Sequence, residues 1–415
     1  MRQGYKVIDV DTHVTPSSDV LLRYADSKLK AREEELKPYI RMTKTLPGRG
    51  HPETDYPLLR IRPIPYERVA GQKEGAKVET TGAGTQGALE GRVDNLAGKG
   101  VHVGIQHDNS KGRLEDMDVE GVDIDLIIPG TWASGSSGLD VSLAQLLFEA
   151  YHRYMADYCS ADSRRLKGLL LAQGADPRWS AAMIRQWAKE DWPAGVWAIL
   201  PEGMPIDDPD LAPMFEAMDE AGFPLVHHSF FYEPPYFPGY RDIWGNSVVA
   251  RTAAHMWGAE RLLAYVLISG LLDKYPTLRV GTVETGHGWL PQWIIRLTAQ
   301  SHFVKNGVAP GLKHTPMEYV QMGKVFCGIE NHEGVHMTKA VVDLLGDGVL
   351  MYQSDFPHPE SLFPHSTDTV IGWKSVLGED ATRKLMAENA ARFLRLTSTP
   401  WEAAAPAGAA AAARA

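Results

Sequence analysis

The sequence predicts a (β/α)8 barrel, in which eight parallel strands alternate with helices. Three observations lead to this prediction: eight apolar, strand-like segments recur along the chain, helical segments lie between several of them, and polar residues follow the strands at their carboxyl ends. Near-continuous apolar strands are typical of a parallel sheet buried on both faces. The 415 residues are enough for one such barrel, and the regular alternation favours it over a doubly wound sheet.

The eight segments share a run of apolar or β-branched residues, and most of them end at a polar residue or a turn. In chain order they are Val7–Val14, Ile124–Pro129, Gly168–Gln173, Gly195–Leu200, Phe223–His228, Leu278–Glu284, Lys324–Glu330 and Val349–Asp355. In a barrel of this kind the carboxyl ends of all strands meet on one face, which carries the chemistry. We therefore expect the polar residues at these ends to lie close together.

Two helices between the strands are predicted from apolar periodicity and capping residues. Over residues 143–158, Leu143 and Tyr151 belong to a stripe of apolar residues with helical spacing. Further along the chain, Asp208 is the predicted N-cap of a helix that ends at Gly222, a residue type that favours the left-handed C-terminal cap. Both helices fit the crossover connections of a parallel barrel.

Two regions do not follow the alternation. The segment 15–115 separates the first predicted strand from the second, begins with a charged helix over Asp26–Leu36, and then becomes rich in Gly, Pro and Thr. An insertion after the first barrel strand lies over the barrel mouth, which indicates either a lid or dimer arm, or a disordered decoration. The low-complexity tail 399–415 is predicted to be unstructured, so the predicted barrel domain covers residues 1–398.

Composition narrows the class of protein. The chain is 44% hydrophobic and 23% charged, and its net charge of −10 argues against nucleic acid as a partner. No apolar run is long enough to predict a membrane span, and the chain enters its first strand too early for a signal peptide. Two cysteines, Cys159 and Cys327, cannot form a disulfide framework and fit a reducing compartment. We therefore expect a cytoplasmic enzyme without a membrane partner.

Asp11 and His13 end the first predicted strand. Their spacing of two places both side chains on one face of a strand. A carboxylate beside an imidazole suits a divalent metal ion such as Zn²⁺ or Mn²⁺. An Asp-x-His pair alone is weak evidence for a metal site. It becomes stronger evidence only together with polar residues at the other strand ends.

Three other strand ends carry such residues. His227 and His228 end the fifth strand, and alternation places them on opposite faces without choosing between them. Glu284 ends the sixth strand, and His287 follows in a Gly-x-Gly turn whose backbone amides favour an anion. Asp355 ends the eighth strand, where a carboxylate is expensive to bury unless it is paired or bound to a metal. Each also has a structural alternative: a His pair satisfied by loops, a capping carboxylate, a loop histidine or a turn aspartate.

Taken together, these residues resemble the amidohydrolase superfamily. The resemblance is to its single-metal branch in particular, which includes aminocarboxymuconate semialdehyde decarboxylase, γ-resorcylate decarboxylase and carboxyvanillate decarboxylase. It extends from VIDVDTHV (Val7–Val14) to AENAARFLRL (Ala387–Leu396), with FPLVHH, GWLP and SDFPH between them. This resemblance implies a barrel with one metal site at its mouth.

The resemblance also implies the identity of the ligands. The family's strand-5 ligand follows a proline by four residues, which selects His228 over His227. No lysine ends the fourth strand in GVWAILPEG, so the carbamylated lysine of two-metal relatives is not expected. One divalent ion, Zn²⁺ or Mn²⁺, is therefore implied, and its ligands would be Asp11, His13, His228 and Asp355.

One departure bears on the reaction. Decarboxylases of this branch usually present a histidine where this chain has Glu284, so either His287 assumes that role or the chemistry differs. The implied activity is non-oxidative decarboxylation of a small aromatic or enol-type carboxylic acid. The metal would clamp the carboxylate and Asp355 would deliver the proton, which makes Asp355, His287 and Glu284 the predicted catalytic residues. The alternatives are metal-dependent hydrolysis of an ester, lactone or amide, and a metal-binding barrel without catalysis.

Three further residues are predicted to bind the substrate. Arg241 lies closest to the strand-5 loop among three basic candidates, although an arginine is more often a surface residue. Trp289 follows the sixth strand and could stack on an aromatic ring, or simply pack. His358 lies in the loop after the eighth strand. The predicted partner is thus a small carboxylic acid, and the predicted assembly is a homodimer.

Overall fold

A parallel eight-stranded sheet organises the molecule. The computed structural model describes residues 1–44, 55–59, 61, 108–130, 132–228, 247–358, 360–396 and 399–401. In this part of the chain the strands are β1 (Ile8–Val14), β2 (Ile40–Lys44), β3 (Asp55–Leu59), β4 (Ile124–Pro129), β5 (Leu166–Gln173), β6 (Pro193–Ile199), β7 (Leu225–His228), β8 (Val280–Val283), β9 (Val325–Gly328) and β10 (Leu350–Met351). The large sheet has the order β1-β4-β5-β6-β7-β8-β9-β10, while β2 and β3 form a separate antiparallel pair.

The sheet closes between its first and last strands. Asp355 N donates to Asp11 O at 3.0 Å, and His13 N donates to Phe356 O at 2.7 Å. Thr12 and Phe356 form an isolated parallel bridge at the same place. The predicted (β/α)8 barrel is therefore confirmed, and the two segments that close it also carry three of the predicted metal ligands, Asp11 and His13 on β1 and Asp355 after β10.

Each of the eight predicted segments overlaps one barrel strand, but β5 and β6 begin two residues earlier than predicted and several strands also end earlier. β8 ends just before Glu284, and β10 ends four residues before Asp355. Both residues have left-handed backbone conformations, with φ of 49° for Glu284 and 58° for Asp355. Such conformations are rare for residues other than glycine and are concentrated at functional sites.

Helices surround the barrel, and the predicted helix over residues 143–158 is present. It runs over Val141–Cys159, begins at the N-cap Asp140, and buries residues that include Leu143 and Tyr151. In the part of the chain that the structure describes, the α-helices are Ser18–Arg23, Ser27–Ala31, Glu33–Leu36, Ser110–Glu120, Trp132–Gly135, Val141–Cys159, Pro177–Trp187, Ala212–Ala221, Ser247–Ile268, Leu271–Lys274, Leu290–Phe303, Pro316–Gln321, Gly334–Leu345, Ser366–Gly372, Lys374–Leu377, Glu379–Arg383 and Asn389–Leu394. A π-helical turn, Lys384–Glu388, joins the last two.

The second predicted helix also forms, with one difference at its start. Asp208 accepts a hydrogen bond from Asp210 N and caps the 3-10 turn Pro209–Leu211, from which the helix Ala212–Ala221 continues. Gly222 ends the helix in a left-handed conformation with φ of 68°. The capping residues were therefore predicted correctly, although the first turn is tighter than an α-helix.

The insertion after β1 is described only in part. The charged segment Asp26–Leu36 forms two short helices, Ser27–Ala31 and Glu33–Leu36, rather than the single helix predicted, because Arg32 leaves the helical conformation with φ of −112° and ψ of 9°. Residues 62–107 lie outside the described residues, so the lid or dimer arm stays a prediction.

The predicted tail also lies largely outside the described residues, which end at Trp401. The Lys6 ammonium group lies 4.8 Å from the ring centre of Trp401. Across the described chain, no helix has the length and apolar character needed to cross a bilayer. Both Cys159 and Cys327 are buried as free thiols.

Glu120 is a buried carboxyl group behind β1, where the helix Ser110–Glu120 packs against the barrel. Its Oε1 atom accepts a hydrogen bond from Thr367 N at 2.6 Å, whereas Oε2 has no hydrogen-bond partner in the described part of the chain. Burial raises the pKa of Glu120 from 4.5 to about 7. At pH values between 4.5 and about 7, Glu120 is protonated in the folded protein but ionised in the unfolded chain. The free energy of unfolding therefore falls as the pH rises through this range.

We expect Glu120→Gln to be more stable than the wild type near pH 8, because the amide is neutral at every pH and keeps the acceptor for Thr367. The gain should be about 2 kcal/mol, below the roughly 3 kcal/mol that the full pKa shift corresponds to. Near pH 4 the two proteins should be equally stable. Urea unfolding at both pH values measures this difference, and an equal or lower stability of the variant at pH 8 would contradict it.

Candidate metal centre

Asp11 and His13 lie side by side at the barrel mouth. His13 Nε2 is 3.3 Å from Asp11 Oδ1, and both side chains are buried. The register between β1 and β4 shifts by one residue between Asp9 and Thr12, which is the signature of a β-bulge. Bulges redirect side chains next to active sites, and this one lies at the first predicted ligand.

His228, at the end of β7, and Glu284, just after β8, lie beside Asp11 and His13. His228 Nε2 lies 2.7 Å from Glu284 Oε2 and 3.7 Å from Asp11 Oδ1, and Glu284 Oε2 lies 3.8 Å from His13 Nε2. One ligand atom from each of Asp11, His13, His228 and Glu284 lies within 4.8 Å of the others. We call these four residues and Asp355 the metal cluster. Within the described residues, His228 rather than His227 belongs to it.

Asp355 and His358 complete the site from the loop after β10. Asp355 Oδ1 lies 3.0 Å from His13 Nε2 and 2.8 Å from Nδ1 of His358. The His358 ring stacks on His13 with 4.2 Å between the ring centres. A second set of ligand atoms within 4.8 Å of one another comprises His13, Glu284, Asp355 and His358. His358 is partly exposed, so it marks the side of the cluster that a substrate can reach.

The environment of the site raises the pKa of Asp11 and His13 and lowers that of Asp355. Burial raises the pKa of Asp11. Burial disfavours the charged form of His13, but the carboxylates of Asp11 and Asp355 outweigh it and raise the pKa of His13 well above its usual range. Burial would likewise raise the pKa of Asp355, but His358 and His13 lower it to about 2. Asp355 is therefore ionised, and His13 carries a positive charge.

The residues present fit a divalent metal ion. Buried polar atoms in a finished fold are normally hydrogen-bonded. Within the described residues, both carboxylate oxygens of Asp11, both ring nitrogens of His13 and Oδ1 of Asp355 lack a well-formed hydrogen bond although all are buried. A set of imidazole nitrogens and carboxylate oxygens is the donor set that Zn²⁺ and Mn²⁺ take in proteins.

His287, a predicted catalytic residue, lies apart from the metal cluster. Its ring is fully buried: Nδ1 accepts a hydrogen bond from Glu330 N at 3.1 Å, and Nε2 lies 3.0 Å from Thr338 Oγ1. The Glu333 carboxylate accepts hydrogen bonds from the amides of His287 and Gly288, at 3.1 and 2.7 Å. The predicted anion site of the Gly-x-Gly turn is therefore filled by the protein's own Glu333, and both ring nitrogens of His287 have structural contacts.

The predicted substrate-binding residue Trp289 is also held by contacts with the backbone. Trp289 Nε1 donates to the carbonyl oxygens of Thr285 and Gly286, each at 2.9 Å, so the indole is tied to the turn that follows β8. Arg241 lies outside the described residues. Of the three predicted substrate-binding residues, the described structure therefore brings only His358 to the cluster.

Three residues near the site were not predicted from the sequence. His255, on the helix Ser247–Ile268, places Nδ1 3.8 Å from Glu284 Oε1. Gln353 joins two strand ends, because its Nε2 donates to Glu330 Oε1 at 3.0 Å and its Oε1 accepts from Glu284 N at 3.4 Å. A side chain at Gly328 would collide with Gln353 Oε1 at 1.8 Å. Glu330 could have been found from the sequence, because it is the polar residue that ends the predicted strand segment Lys324–Glu330. His255 could not, because a single histidine within a helix forms no motif.

The fold and site together define a class of protein: an α/β barrel with a cluster of imidazoles and carboxylates at the carboxyl ends of its strands. Residues 130–396, more than half of the chain, match the family described as Amidohydrolase. The chain belongs to this family, which confirms the resemblance found in the sequence. No curated protein sequence matches the chain.

Solved structures share the fold at low sequence identity. One is 5-carboxyvanillate decarboxylase from Novosphingobium aromaticivorans DSM 12444, in complex with manganese and 4-hydroxy-3-methoxy-5-nitrobenzoic acid (TM-score 0.66, 18% identity, 95% of this chain and 97% of that chain). A second is dihydroxybenzoic acid decarboxylase from Polaromonas sp. JS666 with manganese and 2-nitroresorcinol (0.62, 15%, 94% and 97%). A third is 2,6-dihydroxybenzoate decarboxylase from Rhizobium (0.58, 18%, 70% and 90%). These similarities show the fold.

Proposed function

We propose that the protein is a metal-dependent, non-oxidative decarboxylase of a small aromatic or enol-type carboxylic acid. The observation that carries this proposal is the metal cluster itself, with the Asp355–His358 pair at its reachable side. Two of the decarboxylases that share the fold contain manganese and an aromatic compound, which supports the same substrate class here.

The predicted ligands Asp11, His13, His228 and Asp355 would hold one Mn²⁺ or Zn²⁺ ion. Glu284 belongs to both sets of neighbouring ligand atoms, one with Asp11, His13 and His228 and the other with His13, Asp355 and His358, so its carboxylate could also reach the ion. When bound, the ion supplies positive charge that holds the substrate carboxylate and its neighbouring oxygen. The protein's own contribution is orientation: three of the ligands lie in the two segments that close the barrel, β1 and the loop after β10, and backbone hydrogen bonds between these segments hold them there.

Asp355 and His358 handle the proton in this proposal. His358 Nδ1 lies 2.8 Å from Asp355 Oδ1, so a proton can pass from the imidazole to the carboxylate when a substrate binds. Asp355 then delivers it to the carbon that bears the carboxyl group. The carbon–carbon bond breaks, its electron pair returns to the ring or enol system, and CO₂ leaves. One proton is consumed for each CO₂ released.

Hydrolysis of an ester, lactone or amide is the second candidate. The specific observation in its favour is the pKa of Asp355, lowered to about 2, because the carboxylate is then already ionised and able to accept a proton before any substrate is bound. Glu284 provides a second carboxylate beside His228, at 2.7 Å. Either carboxylate could take a proton from a water molecule that attacks a carbonyl carbon.

One experiment separates the two reactions. The protein is loaded with Mn²⁺ and incubated with hydroxybenzoates, enol-type acids, aryl esters and lactones, while CO₂ and acid release are measured together. We expect CO₂ from at least one carboxylic acid, with uptake of one proton per CO₂. Acid release from an ester or lactone without CO₂ from any acid would overturn the proposal in favour of hydrolysis. The same protein after metal chelation is the blank.

We further propose that the chain works in the cytoplasm as a homodimer. The free, buried thiols of Cys159 and Cys327 support a reducing compartment. Phe303 and Val304, strongly exposed apolar residues at the end of the helix Leu290–Phe303, support contact with a second copy. Light scattering tests the assembly, since a homodimer has twice the chain mass.

A further inference from the structure

Asp9 lies on β1 two residues before the first ligand, and its side chain is buried. Its Oδ1 atom accepts two backbone hydrogen bonds, from Asp11 N at 3.2 Å and from Ser354 N at 3.0 Å. One carboxylate oxygen thus joins two segments that are 345 residues apart in sequence. Each of these segments carries a ligand of the metal cluster.

The two segments are also joined directly, because Asp355 N donates to Asp11 O at 3.0 Å. The peptide groups on both sides of Asp11 are therefore held: its N–H by the Asp9 carboxylate and its carbonyl by Asp355. A ligand whose own backbone is fixed at both ends loses little freedom when it binds an ion. The Asp9 contact completes this arrangement.

Asp9 does not belong to the metal cluster. Neither set of neighbouring ligand atoms includes it, and it lines a small cavity together with residues such as Asp116 and Glu120 of the helix behind β1. The bulge between Asp9 and Thr12 accounts for this separation, since an extra residue in a strand reverses the alternation of the side chains that follow it. Asp9 therefore supports the site from behind.

The second ligand on β1 has a comparable support. The buried Arg113 guanidinium donates to His13 O, and its Nη1 lies 3.4 Å from Asp125 Oδ2. Asp125 is the register partner of Asp9 on β4. Buried side chains on the outer side of β1 thus form hydrogen bonds with the backbone of both Asp11 and His13.

We propose that Asp9 is a positioning residue for the metal centre: by holding the backbone of Asp11 and Ser354, it sets the affinity of the cluster for a divalent ion. The inference rests on the proposed function only in requiring that this site binds such an ion. Groups that orient metal ligands from behind commonly change metal affinity by about 10–100-fold when they are removed.

The test is Mn²⁺ binding without substrate, measured by calorimetry and electron paramagnetic resonance on four proteins. Asp9→Ala removes the acceptor and should weaken Mn²⁺ binding by about 10–100-fold. Asp9→Asn keeps a side-chain oxygen at the same distance from the backbone and should bind within about threefold of the wild type. Glu120→Ala is the matched control: it removes a buried carboxyl from the same cavity, but that carboxyl accepts from Thr367 N rather than from a ligand segment.

Wild-type affinity in Asp9→Ala would overturn the inference, as would an equal loss in Asp9→Ala and Glu120→Ala. Asp9→Val, which lacks the acceptor but fills the space, replaces Asp9→Ala if the smaller residue prevents folding. The readout is independent of the reaction. If the wild-type protein binds Mn²⁺ but releases no CO₂, only the proposed function is contradicted. If Asp9→Ala binds Mn²⁺ as tightly as the wild type, only this inference is contradicted.

Discussion

Asp355→Asn is expected to lower kcat for CO₂ release by about a thousandfold, near the middle of the range for loss of a general acid or base. The asparagine keeps an oxygen near His13 but cannot accept and deliver a proton. In the wild type, the same oxygen lies 2.8 Å from His358 Nδ1 and 3.0 Å from His13 Nε2. Steady-state CO₂ release, with Mn²⁺ content measured on the same samples, separates a lost proton carrier from a lost metal.

Asp368→Asn is the matched control for this variant. Its carboxylate also has a pKa lowered to about 2, in this case through its hydrogen bond with Arg2. Asp368 is not among the residues of the metal cluster, so kcat should stay within about twofold of the wild type, as is usual for substitutions away from a site. Substantial CO₂ release by Asp355→Asn with a full metal content would mean that another group carries the proton.

Much of the fold was predictable because its signal is local. Apolar runs mark the strands of a parallel sheet, and capping residues such as Asp208 and Gly222 mark the ends of helices. The topology then places every strand end at one mouth. This is why Asp11 and Asp355, more than 340 residues apart, could be assigned to one site before any distance was known.

The residues that escaped prediction depend on packing between distant segments. The Gly-x-Gly turn after β8 has the expected amides, but the anion it binds is Glu333 from a later loop. His255 reaches Glu284 from a helix face that carries no motif. Asp9 and Asp11 are two residues apart on β1, so a regular strand would place both side chains on the same face. The bulge between Asp9 and Thr12 places them on different faces. In each case the contact that determines the residue's role joins segments far apart in sequence, so a local sequence pattern does not predict it.

Removing the metal is expected to abolish CO₂ release and to lower the thermal stability of the protein. Activity should fall by about a thousandfold or more with a chelator, because the ion would supply most of the charge that holds the substrate carboxylate. Without the ion, Asp11, Glu284 and Asp355 keep their carboxylates in one buried space. Binding of Mn²⁺ relieves this repulsion, and at a thousandfold excess over Kd it stabilises the fold by about 4 kcal/mol.

Calorimetric melting with and without Mn²⁺ measures that stabilisation, and readdition of Mn²⁺ or Zn²⁺ shows which ion restores turnover. Asp11→Ala is the control, because it removes a ligand whose two oxygens are buried without hydrogen bonds in the described part of the chain. This variant should melt at the same temperature with and without Mn²⁺. An equal metal-dependent shift in the wild type and in Asp11→Ala would place the ion outside the cluster. Full turnover after complete chelation would show that the reaction does not need the ion.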